Sequence, residues 1–358
     1  MSNRREFLKR VAVSSTLAAT GIDVTNAIVK ETRANPPATM KFVQIPQTDL
    51  FVSRLAFGAA LYEVPEKERV RLINAVYDNG INFLDDADFY NEAPLGNVLK
   101  QSPGIRHKLV IQTKCGIVVD GGQFSLDCSR EHIIAAAENS LRQLHTDYVD
   151  ILLLHWPDAL VEPEEVASAF EELKRSGKVR YFGVSNHSQS QIELLKRYVR
   201  QPIVTNQIYL ALENSYLLTG GVGFLTDLFQ ANRVAHNYDY VSAASAANTL
   251  EYCQLNRIQV QAWSPLTGKL LNPPTNATPE VKHAVNVLRD MANKKNASPF
   301  AVALAWLLRH PVGIVPVMRV SKIEHLIENC MASEISLTRK EWYALLVATS
   351  NMHWRKIL

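Results

Sequence analysis

Short apolar segments alternate with longer amphipathic segments along this chain, and this alternation constrains the fold more than any other feature. The stretches between the apolar segments have helical periodicity, and Ser129 and the Ser298-Pro299 pair are typical helix starts. Strands that alternate with helices form parallel sheets, because a parallel neighbour requires a crossover connection. The predicted strands lie at residues 55–58, 82–85, 109–114, 151–155, 179–185, 204–207, 259–262 and 313–316.

Eight strand–helix units within about 280 residues indicate an α/β protein built as a closed (β/α)8 TIM barrel rather than an open sheet. An open dinucleotide-binding sheet carries G-x-G-x-x-G after its first strand, whereas Gly58 is followed here by two alanines. Segments 42–45 and 50–52 predict an N-terminal β-hairpin, and the capping-box pattern from Thr338 to Glu341 predicts an additional C-terminal helix. We therefore expect one barrel domain over residues 41–358.

Residues 220–247, after the sixth strand, interrupt the alternation of strands and helices with a long segment that mixes apolar and polar residues. Loops that follow barrel strands lie over the active-site face, so this segment is predicted to be a loop insertion above the site.

Charge and cysteine content exclude several classes of protein. The chain has 38 basic and 35 acidic residues, a formal net charge of +3, which gives no indication of nucleic-acid binding. Its cysteines, which are widely spaced, indicate neither a zinc site nor a disulfide framework and are expected to be buried apolar residues. They are Cys115, Cys128, Cys253 and Cys330.

The N-terminus has the pattern of a targeting segment. Arg4 and Arg5 precede a mildly apolar run at residues 11–22, which is too short to cross a membrane of about 30 Å as a helix. A paired arginine before such a run resembles a twin-arginine leader, which exports folded proteins. We expect residues 1–34 to be this leader, with the export machinery as partner, a periplasmic location and no stable membrane anchor. The alternatives are a disordered basic tail and a cytoplasmic enzyme.

A polar residue lies at the carboxyl end of each of several consecutive predicted strands. In a barrel of this kind the carboxyl ends of the strands meet at one rim, so these side chains are predicted to form a single site. The residues are Asp85, Lys114, His155, Ser185, Asn186 and Gln207, and Trp263 and Ser264 follow the seventh strand.

Tyr90, in the loop after the second strand, adds a candidate proton donor to this group. A phenol with an ordinary pKa near 10 donates a proton at neutral pH only when its acidity is adjusted, and we expect Lys114, held by Asp85, to lower that pKa. His155 is placed to hydrogen-bond a carbonyl oxygen. A metal site at Asp85, Asp88 and His155 is disfavoured because these residues lack ligand spacing.

Six motifs together are similar to the aldo-keto reductase family. They lie at residues 83–90, 110–114, 148–155, 177–186, 206–207 and 262–266. The resemblance covers about residues 41–335 and implies an NADP(H)-dependent enzyme that reduces a small-molecule aldehyde or ketone. In this scheme Tyr90 is the general acid, Lys114 and Asp85 tune it, and His155 orients the carbonyl. Trp156 is expected to line the substrate pocket.

The same resemblance assigns the cofactor-binding residues. Ser185, Asn186 and Gln207 are assigned to the nicotinamide carboxamide and Trp263 to the face of its ring. Ser264 and Leu266 are assigned to the start of the loop along the pyrophosphate. The adenosine half is bound by Arg319, Ser321, Lys322, His325, Glu328 and Asn329.

The sequence departs from the family pattern at several positions, including Asp86 and His325. Asp86 replaces a threonine, and its side chain is expected to point away from that of Asp85. His325 stands where an arginine grips the 2′-phosphate of NADPH, and a histidine is mostly neutral at pH 7. NAD(H) therefore stays open as the cofactor, although Arg319 and Lys322 favour NADP(H). The alternative function is a non-catalytic nucleotide-binding or sensing member of the same fold.

Overall fold

Eight parallel strands close into a barrel in the computed structural model, which describes residues 40–215, 217, 248–266 and 270–354. Around the barrel they follow one another in chain order, with Ala56–Gly58 as the first strand and Val315–Met318 as the last. The strands are β1 (Phe42–Gln44), β2 (Phe51–Ser53), β3 (Ala56–Gly58), β4 (Phe83–Asp85), β5 (Val110–Cys115), β6 (Ile117–Asp120), β7 (Gln123–Leu126), β8 (Val149–Leu154), β9 (Val179–Ser185), β10 (Ile203–Tyr209), β11 (Gln259–Trp263) and β12 (Val315–Met318). The predicted (β/α)8 TIM barrel is confirmed.

Helices surround the strands and begin at the expected capping residues. Side chains of Ser129 and Ser298 accept hydrogen bonds from main-chain N–H groups in the first turns of their helices. Thr338 and Glu341 bond reciprocally at the start of the C-terminal helix, as the capping-box pattern predicts. The helices are α1 (Glu66–Asp78), α2 (Ala93–Gln101), α3 (Arg130–Leu144), α4 (Pro163–Arg175), α5 (Gln189–Lys196), α6 (Thr249–Leu255), α7 (Pro279–Lys295), α8 (Pro299–Leu308), α9 (Ile323–Cys330) and α10 (Arg339–Trp354).

The predicted N-terminal hairpin closes one end of the barrel. Strands β1 and β2 pair antiparallel, and Ile45, Leu50 and Val52 join a buried cluster with Phe83 and Ile151 from the barrel wall. This packing fills the amino-terminal end of the barrel with apolar side chains. The predicted site residues lie at the opposite end, where the strands finish.

Trp306 and Trp342 fix the C-terminal helix against the barrel. Trp306 lies in α8, which is buried from Ala301 to Leu308, and its ring stacks on that of Trp342 at 5.0 Å between centroids. Each indole N–H also donates to the main-chain carbonyl of the other residue. These paired contacts explain how an additional helix beyond the eighth unit joins the core.

The hairpin formed by β6 and β7 was not predicted. It follows the barrel strand β5 and turns at Gly121 and Gly122, both of which have positive φ. An Asp-Gly pair between short strands is a strong hairpin signal, so Asp120-Gly121 could have predicted it. Two predicted features, the leader at residues 1–34 and the insertion at residues 220–247, lie outside the described residues. Among the described residues, no helix is long and apolar enough to span a membrane.

Candidate active site

Asp85 and Lys114 form a buried ion pair at the carboxyl ends of β4 and β5. Lys114 Nζ donates to Asp85 Oδ2 at 2.7 Å and to the carbonyl oxygen of Asp86 at 2.8 Å. The side chain of Asp85 is 7% exposed and that of Lys114 is 2% exposed, so bulk water screens neither charge effectively. A buried pair of this kind is sensitive to the loss of either partner.

Tyr90 and His155 lie beside this ion pair, as predicted. Tyr90 ends the one-turn helix Asp88–Tyr90, and its ring lies edge-on to the imidazole of His155 with 5.7 Å between centroids. Lys114 Nζ lies 5.8 Å from the Tyr90 ring centroid. The main-chain N–H of His155 donates to the carbonyl of Cys115, which holds His155 next to the end of β5. The structure thus brings the four predicted residues together at one end of the barrel.

The prediction that Lys114 brings the pKa of Tyr90 below its ordinary value is wrong. Burial raises the pKa of Tyr90 above its ordinary value of 10.0, and the lowering effect of Lys114 is smaller. The nearby Asp85 carboxylate raises the pKa further, and Asp86 does so when it is ionised. Lys114 does not dominate the pKa of Tyr90, because its ammonium group is bonded to the oppositely charged Asp85. In this protein Lys114 therefore limits a rise in pKa rather than making the phenol more acidic than usual.

His155 is neutral throughout the physiological range. Burial lowers its pKa from 6.5 to about 2, and the nearby Lys114 charge acts in the same direction. A neutral imidazole still has one N–H to donate, but it is not a source of a transferable proton near pH 7. The geometry therefore suits His155 to polarising an oxygen atom rather than protonating it.

The lowered pKa of His155 predicts a pH-dependent loss of stability. The unfolded chain protonates this histidine below about pH 6.5, whereas the folded protein does not, so stability falls as the pH drops through this range. Between pH 7 and pH 5 we expect the wild type to lose about 2 kcal/mol more than His155→Gln in free energy of unfolding. Urea titrations at both pH values measure this difference. The control His107→Gln, at an exposed position, should behave like the wild type, and equal losses in wild type and His155→Gln would contradict the prediction.

Ser185, Asn186 and Trp263 form a connected group beside His155. Asn186 Nδ2 donates to Ser185 Oγ at 3.0 Å and to the carbonyl of His155 at 3.2 Å, while Asn186 Oδ1 accepts from Trp263 Nε1 at 2.8 Å. Asn186 adopts a positive φ of 60°, a conformation that asparagine tolerates better than most residues. Trp156 contacts Trp263 edge-on at 6.4 Å between centroids. These predicted residues therefore line the same rim.

A buried network of glutamines, which was not predicted, lies under Asp85. Gln112 and Gln207 both donate to Asp85 Oδ1, at 2.6 and 3.0 Å, and both also donate to Gln261 Oε1. Gln112 lies two residues before Lys114, and Gln261 lies two residues before Trp263. Period-two alternation places each of these glutamines on the same face of its strand as the predicted site residue. This alternation is the sequence signal from which Gln112 and Gln261 could have been predicted.

Tyr209 is a second missed residue. It ends β10, two residues after Gln207, and its ring stacks on Trp263 with 4.4 Å between centroids. Because it shares the strand face of Gln207, the same alternation could have found it. The stacking holds the Trp263 ring at the rim.

A cavity of about 310 Å³ lies beside the ends of β3, β11 and β12. Its lining includes Leu266 and five of the residues assigned to the adenosine half, namely Arg319, Ser321, His325, Glu328 and Asn329. The sixth, Lys322, precedes α9 and is exposed. The guanidinium of Arg319 bonds to Glu63 at 3.0 Å and to the Tyr62 hydroxyl at 3.2 Å. Phosphate sites of such barrels commonly lie at the loops after strands seven and eight, which is the position of this cavity.

The cysteines are buried and unoxidised, as predicted. In the part of the chain that the structure describes, no group of three or more His, Cys, Asp or Glu residues is arranged to hold a metal ion.

Comparison with known proteins connects this geometry to a family. The profile described as the Aldo/keto reductase family matches residues 54–215 and 229–346. The uncharacterised oxidoreductase YcsN of Bacillus subtilis is 35% identical over 324 residues, covering 86% of this chain and 98% of that protein. The 6-dehydroglucose reductase of Agrobacterium fabrum is 34% identical over 284 residues, covering 76% of this chain and 84% of its own.

Solved structures agree with the sequence matches. A thermostable aldo-keto reductase, crystallised with the inhibitor epalrestat, superposes with a TM-score of 0.65 at 26% identity, over 86% of this chain and all of the other. A glycerol dehydrogenase of Gluconobacter oxydans gives a TM-score of 0.71 at 24% identity over 88% of this chain and 97% of its own, which shows the common fold. With the family profile spanning most of the barrel, the chain belongs to the aldo/keto reductase family of oxidoreductases.

Proposed function

We propose that this protein reduces an aldehyde or ketone with a nicotinamide cofactor and that Tyr90 is the general acid. The observation that carries the proposal is the convergence of Tyr90, His155 and the Lys114–Asp85 ion pair at the carboxyl ends of three neighbouring barrel strands. A nicotinamide, when bound, supplies a hydride equivalent to the carbonyl carbon. The chain itself supplies a proton donor, an orienting donor and a buried cation.

The residues fit the proton transfer chemically. The Tyr90 hydroxyl and the His155 N–H both donate hydrogen bonds to the carbonyl oxygen of the substrate. As negative charge develops on that oxygen, the Tyr90 proton moves to it and the product is an alcohol. Lys114 then stabilises the tyrosinate, because its ammonium group lies against the Tyr90 ring in a site shielded from water.

The cavity beside β12 supports nucleotide binding. Arg319 and Ser321 provide a guanidinium and a hydroxyl for phosphate oxygens, and Asn329 provides an amide for the adenine ring. Ser185 and Asn186 provide a hydroxyl and an amide beside His155 for the carboxamide. Gln207 offers its amide oxygen, because its amide nitrogen already donates to Asp85 and Gln261. We propose NADP(H) as cofactor with NAD(H) as the alternative. Glu63 pairs with Arg319 and His325 lines the same cavity, so the positive charge available to a 2′-phosphate is reduced.

The test is the rate of NADPH and NADH oxidation by the purified protein with a panel of aldehydes and ketones. Oxidised sugars belong in the panel because two relatives, at 34% and 30% identity, are named 6-dehydroglucose reductases. The panel should also include flat apolar carbonyl compounds, since Phe89 and Phe124 contact each other edge-on beside Tyr90. Nucleotide binding without turnover of any panel member would favour the non-catalytic alternative.

We also propose that residues 1–34 direct export through the twin-arginine machinery. The support is the Arg4-Arg5 pair ahead of a short, mildly apolar run. Fractionation of cells that express the full chain is expected to place the protein in the periplasm, and Arg4→Lys/Arg5→Lys should retain it in the cytoplasm. A wild-type protein found only in the cytoplasm would contradict the proposal.

A further inference from the structure

The glutamines under Asp85 form a connected network inside the barrel. Gln112 lies on β5, Gln207 on β10 and Gln261 on β11, and all three side chains are buried. Strands β5 and β11 are not neighbours in the barrel wall, so Gln112 and Gln261 meet across the interior of the barrel. The network therefore joins the strand that carries Lys114 to the strand that carries Gln207.

The Asp85 carboxylate fixes the direction of the two amides that face it. A carboxylate accepts hydrogen bonds and donates none, and Asp85 Oδ2 already accepts from Lys114 Nζ at 2.7 Å. Gln112 and Gln207 lie against Oδ1, and both turn Nε2 towards it, at 2.6 and 3.0 Å. An amide oxygen in either place would repel the carboxylate, so the charge of Asp85 determines which atom each amide presents.

Gln261 accepts the hydrogens that Asp85 leaves over. Its Oε1 accepts from Gln112 Nε2 at 2.8 Å and from Gln207 Nε2 at 2.9 Å. Gln261 is held in this direction by its own nitrogen, which donates to Gln112 Oε1 at 3.0 Å and to Gln259 Oε1 at 3.2 Å. Reversing Gln261 would place its nitrogen against two other donor nitrogens, and unmatched polar groups in a buried network are costly.

Gln207 is left with its amide oxygen for a ligand. Both hydrogens of its amide are engaged, by Asp85 and by Gln261, and among the described residues no group donates to Gln207 Oε1. Gln207 also lies beside Ser185, whose hydroxyl donates to the main-chain carbonyl of Gln207 at 2.8 Å. A carboxamide that binds next to Ser185 can therefore bond to the Gln207 side chain through its N–H group and not through its oxygen.

We propose that Gln261 is a positioning residue, which together with Asp85 holds Gln207 so that its amide oxygen is the group offered to a nicotinamide carboxamide. Gln261 is fully buried, so it acts through Gln207 rather than on the nucleotide. The carboxylate that pairs with Lys114 thus also sets the direction in which Gln207 reads the cofactor. The consequence for the cofactor rests on the proposed reductase function, whereas the orientation of Gln207 does not.

Hydrogen exchange of the side-chain amides tests the orientation of Gln207 without any ligand. The full chain is labelled with ¹⁵N at its glutamine side chains, and exchange with water is followed by NMR. We expect the Gln207 amide hydrogens to exchange at least about 10²-fold more slowly than those of the exposed Gln123, because both are bonded in the barrel interior. Exchange as fast as at Gln123 would mean that the nitrogen faces the open rim, and it would overturn the proposal.

Gln261→Met tests whether Gln261 holds Gln207. The substitution removes the acceptor of one Gln207 hydrogen, which should then exchange about tenfold faster. The control Thr205→Val, also on β10, removes the hydrogen bond from the Thr205 hydroxyl to the main-chain carbonyl of Gln259 and should leave this rate unchanged. An unchanged rate in Gln261→Met would overturn the positioning role. If Gln261→Met does not fold, Gln112→Met removes a partner of Gln261 and should act in the same direction, about threefold.

A nucleotide analogue tests the consequence for the cofactor. Fluorescence titration compares the Kd of NADPH with that of its analogue in which an acetyl group, which has no N–H, replaces the carboxamide. The wild type should bind the analogue about tenfold more weakly, and this ratio should shrink to about threefold in Gln261→Met, where Gln207 is less firmly held. Equal affinities in the wild type, or an unchanged ratio in the variant, would overturn the proposal. If neither nucleotide binds, the proposed function fails, and hydrogen exchange still decides the orientation of Gln207.

Discussion

Tyr90→Phe is expected to lower kcat by about 10³-fold with little change in stability, the range that removal of a general acid typically produces. The substitution deletes the hydroxyl that would donate the proton and keeps the ring, which contacts His155 and Phe89. Binding of the nucleotide should persist, because no residue of the cavity beside β12 changes. Steady-state kinetics and nucleotide fluorescence titration separate the two effects.

A matched control for this substitution is Tyr181→Phe. The Tyr181 hydroxyl donates to Asp49 at 2.9 Å, near the N-terminal hairpin and away from the rim where Tyr90 lies. This control should retain kcat. If Tyr90→Phe kept more than about a tenth of the wild-type kcat, Tyr90 would not be the general acid and another proton donor would be required.

Lys114→Met is expected to lower kcat by about 10²- to 10³-fold and to reduce the free energy of unfolding by about 3 kcal/mol. The substitution removes both hydrogen bonds of Nζ and leaves the Asp85 carboxylate buried. The amides of Gln112 and Gln207 still donate to Asp85, which limits the loss of stability. The pKa of Tyr90, already raised by burial, should rise further without the charge of Lys114, which lowers it.

Asp150→Asn separates loss of stability from loss of chemistry. Asp150 is also buried, and it accepts from Arg106 at 3.1 Å and from Arg180 at 2.7 Å, away from the candidate active site. It should lower the free energy of unfolding by a similar amount, about 3 kcal/mol, while the folded enzyme keeps its kcat. A Lys114→Met variant that is destabilised but keeps wild-type kcat would contradict the role assigned to Lys114. Urea denaturation measures the free energy of unfolding of both variants, and steady-state kinetics at equal folded fractions measures their kcat.

The sequence by itself determined the architecture and the four residues proposed for catalysis. Parallel barrel strands are buried on both faces, so a strand such as β8 appears as a largely apolar run with a sharp end. Side-chain caps at Ser129 and Ser298 fix helix starts through local hydrogen bonds, which a sequence reveals directly. Tyr90, Lys114, Asp85 and His155 were predictable because each lies at or just beyond the end of a strand, where barrels place their chemistry.

Only the tertiary structure decided how the charges around Lys114 balance. The glutamines that hold Asp85 come from strands that are distant in the sequence, Gln112 on β5, Gln207 on β10 and Gln261 on β11. The direction of the Tyr90 pKa depends on burial and on which oxygens engage the ammonium group of Lys114. Burial and hydrogen bonding between distant strands arise only when the barrel closes. Local patterns identify which groups meet at the rim, but the pKa values depend on the desolvation and pairing that closure imposes.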